Sequence, residues 1–336
     1  MIKIVLLAAC FVLSASMSQA GSLDDLKAAT AAVGQGGPNE AIGLFTKALA
    51  AGDLAPADQF AARKGRATEY SVKSLIDDSF GRLDQARDSR ERAIADFTAA
   101  LAIKTDDASV SIGRAQVYHL NGQYDLAIAD FDAALKLNDS LVSRLQRANS
   151  LRSKGNYDSA VDGYTTALGL DAKDAGIESW EIFNERGTAQ FLAMRFDAAA
   201  ADFDKALTMG AAARTGDVLW IPYQVAWLHI ARARAGQNDA EELARNAEKV
   251  DLKAWPGTLI SFYLGRTSID QLSPPSNHGA MGHGRECNLA FFAGEDALLK
   301  KDTAGAAARF QRARAFCNIH TTTYLAAGAE LKRLSK

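Results

Sequence analysis

Apolar residues recur along this chain at spacings of three and four, the signature of a helix with one buried face. No stretch beyond residue 20 alternates with the period of two that a strand requires. The pattern also repeats on a longer scale. Ala93-Ile94-Ala95-Asp96-Phe97, Ala127-Ile128-Ala129-Asp130-Phe131, Ala160-Val161-Asp162-Gly163-Tyr164 and Ala199-Ala200-Ala201-Asp202-Phe203 align, and each has a further alanine three residues after its aromatic, at Ala100, Ala134, Ala167 and Ala206. The leading alanines are 34, 33 and 39 residues apart, the last interval carrying extra residues around Asp171 to Ile177. Upstream of each lies a second signature: Gly113-Arg114-Ala115, Arg147-Ala148, Arg186-Gly187 and, before an insertion, Gly65-Arg66-Ala67. This predicts pairs of antiparallel helices, in which small residues let two backbones approach and Phe97, Phe131, Tyr164 and Phe203 fill the space between them. Asn121-Gly122-Gln123-Tyr124 and Lys154-Gly155-Asn156-Tyr157 read as the short turns within pairs, with glycine at the helix end.

Weaker copies extend the array. Ala41, Phe45 and Ala48 repeat the second-helix spacing, with Ser22 to Val33 as partner; Gly294, Ala306, Phe310 and Ala313 fall in register in a unit starting at Cys287. Val218 to Val250 reads as another pair, Trp255 to Leu272 as a further segment, and Thr321 to Leu334 as a capping helix with Tyr324, Gly328, Leu331 and Leu334 inward. No proline interrupts Ala57 to Ile221, as continuous helices require. The expected organisation is a leader over residues 1–20, regular repeats over 21–210, and a divergent region over 211–336 that contains an irregular loop at 273–285 and the cap.

Repeats of this period resemble the tetratricopeptide repeat over about two thirds of the chain. The resemblance implies an all-α architecture in which helix pairs stack into a right-handed superhelix, with a concave surface of first helices that receives protein partners. The order of Trp255-Pro256, Phe262-Tyr263-Leu264-Gly265, Asn288 to Gly294, Asp302 to Phe310 and Ala329-Glu330-Leu331 resembles the NlpI-like tetratricopeptide proteins of bacterial envelopes. That resemblance implies an adaptor or scaffold for periplasmic proteases or peptidoglycan hydrolases, with no cofactor and no catalysis of its own.

Counting each unit from an arginine at position seven, positions five, nine and twelve are expected to face the groove. Their polar members include Lys64 and Thr68, Gln116 and His119, Asn149 and Arg152, and Asn184 and Thr188. The clamp that holds a C-terminal carboxylate in some relatives is not reproduced: Lys64 matches, but Thr68, Gly113 and Val142 stand where Asn, Asn and Lys are needed. Internal segments of folded partners are therefore the expected ligands, with a homodimer as a further candidate assembly.

The ends and the composition narrow the compartment and the partners. Lys3 followed by the apolar run Ile4 to Leu13 is too short to span a bilayer, and Ser18-Gln19-Ala20 suits signal-peptidase cleavage before Gly21. A soluble periplasmic protein is expected, without stable membrane insertion of the mature chain; the alternative is a lipid anchor on Cys10, after Leu7-Ala8-Ala9. With 38 Lys and Arg against 40 Asp and Glu, there is no basic field to hold nucleic acid.

Remaining candidate chemistry is sparse. Arg66, Arg114, Arg147 and Arg186 recur with Asp96, Asp130 and Asp202, either as ion pairs between paired helices or as an arginine ladder for an acidic ligand. Cys287 and Cys317 open and close the last helix pair, which brings them together. In an oxidising compartment they are expected to form a disulfide; with His283 and His320 they are alternatively a zinc site, and that cluster would underlie a small-ligand or metal-binding function. His278 and His283 in the loop read as ordinary exposed histidines, and the insertion Lys73 to Arg92 as a solvated helix face. There is no phosphate loop, paired-histidine protease motif or serine elbow, so no enzyme is expected.

Overall fold

The structure, a computed structural model, describes residues 21–170, 178–213, 220–272, 280–319 and 321–335, among which every regular element is a helix. The leader, Cys10 and His278 lie outside the described residues. The helices are α1 (residues 21–32), α2 (Pro38–Ala50), α3 (Pro56–Ser79), α4 (Leu83–Ile103), α5 (Ala108–Leu120), α6 (Tyr124–Leu137), α7 (Leu141–Lys154), α8 (Tyr157–Leu168) and α9 (Ser179–Leu192). They continue with α10 (Phe196–Ala213), α11 (Trp220–Arg234), α12 (Ala240–Ala247), α13 (Thr258–Tyr263), α14 (Ile269–Leu272), α15 (Ala280–Leu299), α16 (Thr303–Phe316) and α17 (Thr322–Leu334). Two compact units divide within α7, the first ending at Ser143 and the second beginning at Arg144.

In the first unit consecutive helices pack as antiparallel neighbours, α3 on α4 and α5 on α6. The seam is made of fully buried alanines around one large ring per pair: Phe45 among Ala29, Ala41 and Ala48, then Phe97 among Ala67, Ala93 and Ala100, then Phe131 beside Ala115 and Ala127. A methyl at Gly113 would sit 2.7 Å from the Phe97 ring, so the repeat needs glycine there. Turns close as the sequence leads one to expect. Gly122 adopts φ +72° and Gly155 φ +93°, while Gln123 N–H donates to the Tyr118 carbonyl at 2.9 Å and Asn156 N–H to that of Leu151 at 2.9 Å.

The insertion lengthens α3 to 24 residues and α4 to 21, and its charges are not all solvated. Asp77 is buried between Lys73 and Arg82, and buried Arg90 pairs with Asp78. Apolar side chains are displaced outward instead, with Phe80 72% and Leu83 60% exposed.

In the second unit one continuous core runs from α9 to α17. Trp227 on α11 lies 5.3 Å from Phe191, 5.7 Å from Phe203, 5.1 Å from Phe291 and 5.5 Å from Phe292, ring centre to ring centre, and so joins α9, α10 and α15. Thus α9 and α10, grouped by sequence with the regular repeats, share their core with the divergent helices. Helix α15 begins at Ala280, within the stretch expected to be a loop through residue 285. Its first turns are tied down by Arg285, which donates to the Leu272 carbonyl at 2.9 Å and stacks on Trp255. On α17 the buried face is Thr323, Ala326, Ala327 and Glu330; Tyr324, Gly328, Leu331 and Leu334, the expected inner face, are only half-buried. The rotation brings Glu330 to the guanidiniums of Arg234 and Arg333.

Cys287 and Cys317 are joined in a disulfide with Cα atoms 4.7 Å apart, and the Thr323 hydroxyl lies 3.2 and 3.5 Å from the two sulfurs. Bonded sulfurs are not thiolate ligands, which removes the zinc reading. His320 and the side chain of His283 lie outside the described residues.

Candidate partner-binding site

At three of the four units the arginine at position seven is structural. Arg66 grips Asp96, Arg114 grips Asp130 and Arg186 grips Asp202, each through Nε at 2.7 Å and a second nitrogen at 2.8 Å. The remaining nitrogen of each donates to a threonine on the preceding second helix: Thr46 at 3.1 Å, Thr98 at 3.0 Å and Thr165 at 3.1 Å. All three carboxylates are buried. With the planar fork saturated, these arginines bind three helices together and do not form a ladder for an acidic ligand. The threonines were legible in Phe45-Thr46, Phe97-Thr98 and Tyr164-Thr165, a pattern one residue beyond the aromatic that sequence inspection passed over.

The expected groove residues fall into different situations. In the first unit Lys64 on α3 donates to Ser109 and lies 3.6 Å from Asp107, bridging to the start of α5. Thr68 is exposed, with its hydroxyl on the Lys64 carbonyl at 2.9 Å. On α5 Gln116 is exposed, whereas His119 is half-buried with its ring 5.4 Å from that of Tyr124.

In the second unit four of these positions lie on α7 and α9, two of them buried. Thr188 is 2% exposed, its hydroxyl bonded to the Asn184 carbonyl at 3.0 Å. Arg152 is 7% exposed and paired with Glu185. Burial opposes the charge on Arg152, and Glu185 more than offsets it. Neither side chain is an open groove residue, although helical spacing alone leaves both positions at the surface.

Asn149 and Asn184 do line an opening, a pocket of about 390 Å³. Helix α7 contributes Leu145 and Asn149, α8 contributes Tyr164, and α9 contributes Trp180, Glu181, Asn184 and Glu185, with Trp220 of α11 at the far wall. The Trp180 and Trp220 rings meet edge to face, 4.5 Å between centres. Trp220 seats on Gly210, where a methyl would come within 2.4 Å of the indole. Buried Tyr164 has its phenol pushed up by desolvation and remains a donor, bonded to Asn149 Oδ1. Gln224 donates to Asn184 Oδ1 at 2.6 Å. Both asparagines are therefore oriented by buried neighbours. Sequence reasoning missed Trp180, Glu181 and Trp220. Extending the stripe one turn back, from position five to position two, reaches Glu181, whereas Trp220 arrives from a helix with no fixed register to the repeat.

A family model of the tetratricopeptide repeat matches residues 79–141 and 145–216. Among curated proteins, the SGT1 homolog of Bos taurus is 32% identical over 91 residues, 27% of either chain, so the chain spans about a quarter of that relative. A solved tetratricopeptide repeat protein from Parabacteroides merdae has a TM-score of 0.55 at 14% identity, covering 94% of this chain and 99% of that one. The apo form of RapI has a TM-score of 0.53 at 11% identity, covering 88% and 97% respectively. The likeness to these two structures is one of fold.

Proposed function

This chain carries tetratricopeptide repeats, modules that mediate protein–protein interaction, and we propose that it is an exported scaffold of a bacterial envelope that presents partner proteins to proteases or peptidoglycan hydrolases. The observation that carries the reading is the pocket over α7 and α9, where two asparagines pre-oriented by Tyr164 and Gln224 sit among aromatic walls. Fixed polar groups beside aromatic walls suit the binding of a ligand. The apolar leader and the Cys287–Cys317 bridge support an oxidising destination. The order of motifs from Trp255 to Leu331 supports the adaptor role. No described helix is long and apolar enough to cross a membrane.

Crosslinking in intact cells followed by mass spectrometry tests the scaffold: one or a few envelope enzymes should be enriched, and recovery of no protein partner would sink it. Intact mass tests the export route. A chain beginning at Gly21 is expected, and diacylglycerol on Cys10 would replace the soluble reading with the lipid-anchored one.

A further inference from the structure

The insertion in the first unit builds a surface that the repeat alone does not. It lengthens α3 to 24 residues, against 13 in α2. In the antiparallel pair of α2 and α3, Phe45 sits over Gly65 and Thr46 accepts from Arg66. Followed along both helices from that contact, the first residue of α2, Pro38, comes level with Val72. Beyond Val72 the face of α3 that receives α2 continues without it. Val72, Ile76 and Phe80 follow one another at spacings of four on that face, and Phe80 stands about five turns beyond Ala62, which packs in the Phe45 cluster. Val72, Leu75, Phe80 and, at the start of α4, Leu83 are exposed, while Ile76 is half-buried. They leave an apolar patch of a few hundred Å², the range in which a protein's largest exposed patch is commonly functional.

Charge and register decide what covers it. The hairpin from Lys73 to Arg92 carries five basic and five acidic residues. Every base is paired within it: Lys73 and Arg82 with Asp77, Arg87 with Asp84, Arg90 with Asp78, and Arg92 with Asp88. A neutral, internally paired rim selects neither a strongly acidic nor a strongly basic partner, and it raises no repulsion against itself. With a two-fold axis at Ile76, antiparallel α3 helices set Val72 against Phe80 of the second copy, a small side chain against a large one, and Lys73 against Ser79. No two like charges meet, and the stripe itself is uncharged.

We propose that this face pairs two copies of the chain, their lengthened α3 and α4 hairpins packing as a four-helix bundle about a two-fold axis through Ile76. The inference is independent of the scaffold reading, since surface and occupant both differ. Two such patches with their flanks come to about 1,000 Å², the lower bound for a specific interface, so the pair is a micromolar dimer and not a permanent one.

The test is sedimentation of the chain from Gly21 over about 1 to 200 μM, a range that brackets that affinity. A concentration-dependent passage from monomer to dimer is expected. Phe80→Asp should weaken dimerisation at least about tenfold, because it places a charge in the apolar centre. Leu126→Asp, at an exposed apolar position on α6, should leave it unchanged. Circular dichroism of both variants reports that the helices are intact. Since Cys287 and Cys317 are bonded to each other, Ile76→Cys introduces the one free thiol of this chain, and mild oxidation should give a covalent dimer. A chain that stays monomeric throughout, a dimer as strong with Phe80→Asp, or a dimer that Ile76→Cys fails to crosslink would each overturn the proposal. A monomer that loses its cellular partners on Phe80→Asp would assign the face to another protein, which also overturns self-pairing. The scaffold reading is decided separately, by whether partners crosslink at all.

Discussion

The two units solve the same packing problem with different material. In the first, each helix pair buries a single ring, Phe45, Phe97 or Phe131, in a bed of alanines, and the clusters stay separate. In the second, one aromatic cluster around Trp227 runs from α9 through α17. A stack of small local cores gains stability from nearest-neighbour contacts, so its pairs can open one at a time. A fused core is lost as a whole. The charged seams differ in the same sense. Asp77 in the first unit is served by Lys73 and Arg82 from its own hairpin. Glu295 and Glu330 in the second are held by Arg234 from a third helix.

The strongest way to break this contrast is Trp227→Ala, which removes the ring common to four aromatic contacts. A loss of about 3–5 kcal/mol in chemical denaturation is expected, with hydrogen exchange accelerated across α9, α11 and α15 together. Confinement of the effect to α11 would show the second unit to be as modular as the first.

Removing the disulfide comes next. The bridge closes a segment of 30 residues, for which chain entropy gives roughly 3–4 kcal/mol. Paired Cys287→Ala and Cys317→Ala should lower the denaturation midpoint accordingly without altering the first unit's exchange. Equal stability of oxidised and reduced protein would show that packing around Thr323 already holds α15, α16 and α17.

Acidity separates the units in a further effect. Burial and the neighbouring Glu330 push the Glu295 carboxyl up to about 8, against the opposing pull of Arg234. A carboxyl that holds its proton more tightly when folded contributes stability that is complete below its ordinary value near 4.5. That contribution declines as pH rises through about 8. The second unit should therefore lose stability between these limits, and Glu295→Gln should flatten the dependence. An unchanged slope in the variant would assign it elsewhere.

Turn residues give the smallest change. Gly122 and Gly155 occupy left-handed positions, and in the second unit Met194 and Lys301 take the equivalent place with φ of 62° each. Met194→Gly and Lys301→Gly should each stabilise by about 0.5–1 kcal/mol in thermal melts. Destabilisation by either would show that side-chain packing there outweighs the backbone cost.

Much of this was present in the amino-acid order. Helix pairing, the Gly122 and Gly155 turns, the partnership of Arg114 with Asp130 and the pairing of Cys287 with Cys317 follow from spacings within about one repeat, where the fold brings the same offsets together each time. Two members of the pocket lining, Asn149 and Asn184, follow the same spacing rule, each on the corresponding face of the first helix of its repeat. Tertiary structure alone decided the rest. Spacing assigns a face but not a depth, so it could not tell that Arg152 and Thr188 are covered while Asn149 and Asn184 are open. Nor could it turn Glu330 inward, since that depends on Arg234 from another helix. Trp220 reaches the pocket wall from α11, outside the repeat's register. Its place there is set by the long-range packing of α10 and α11 and not by any local pattern.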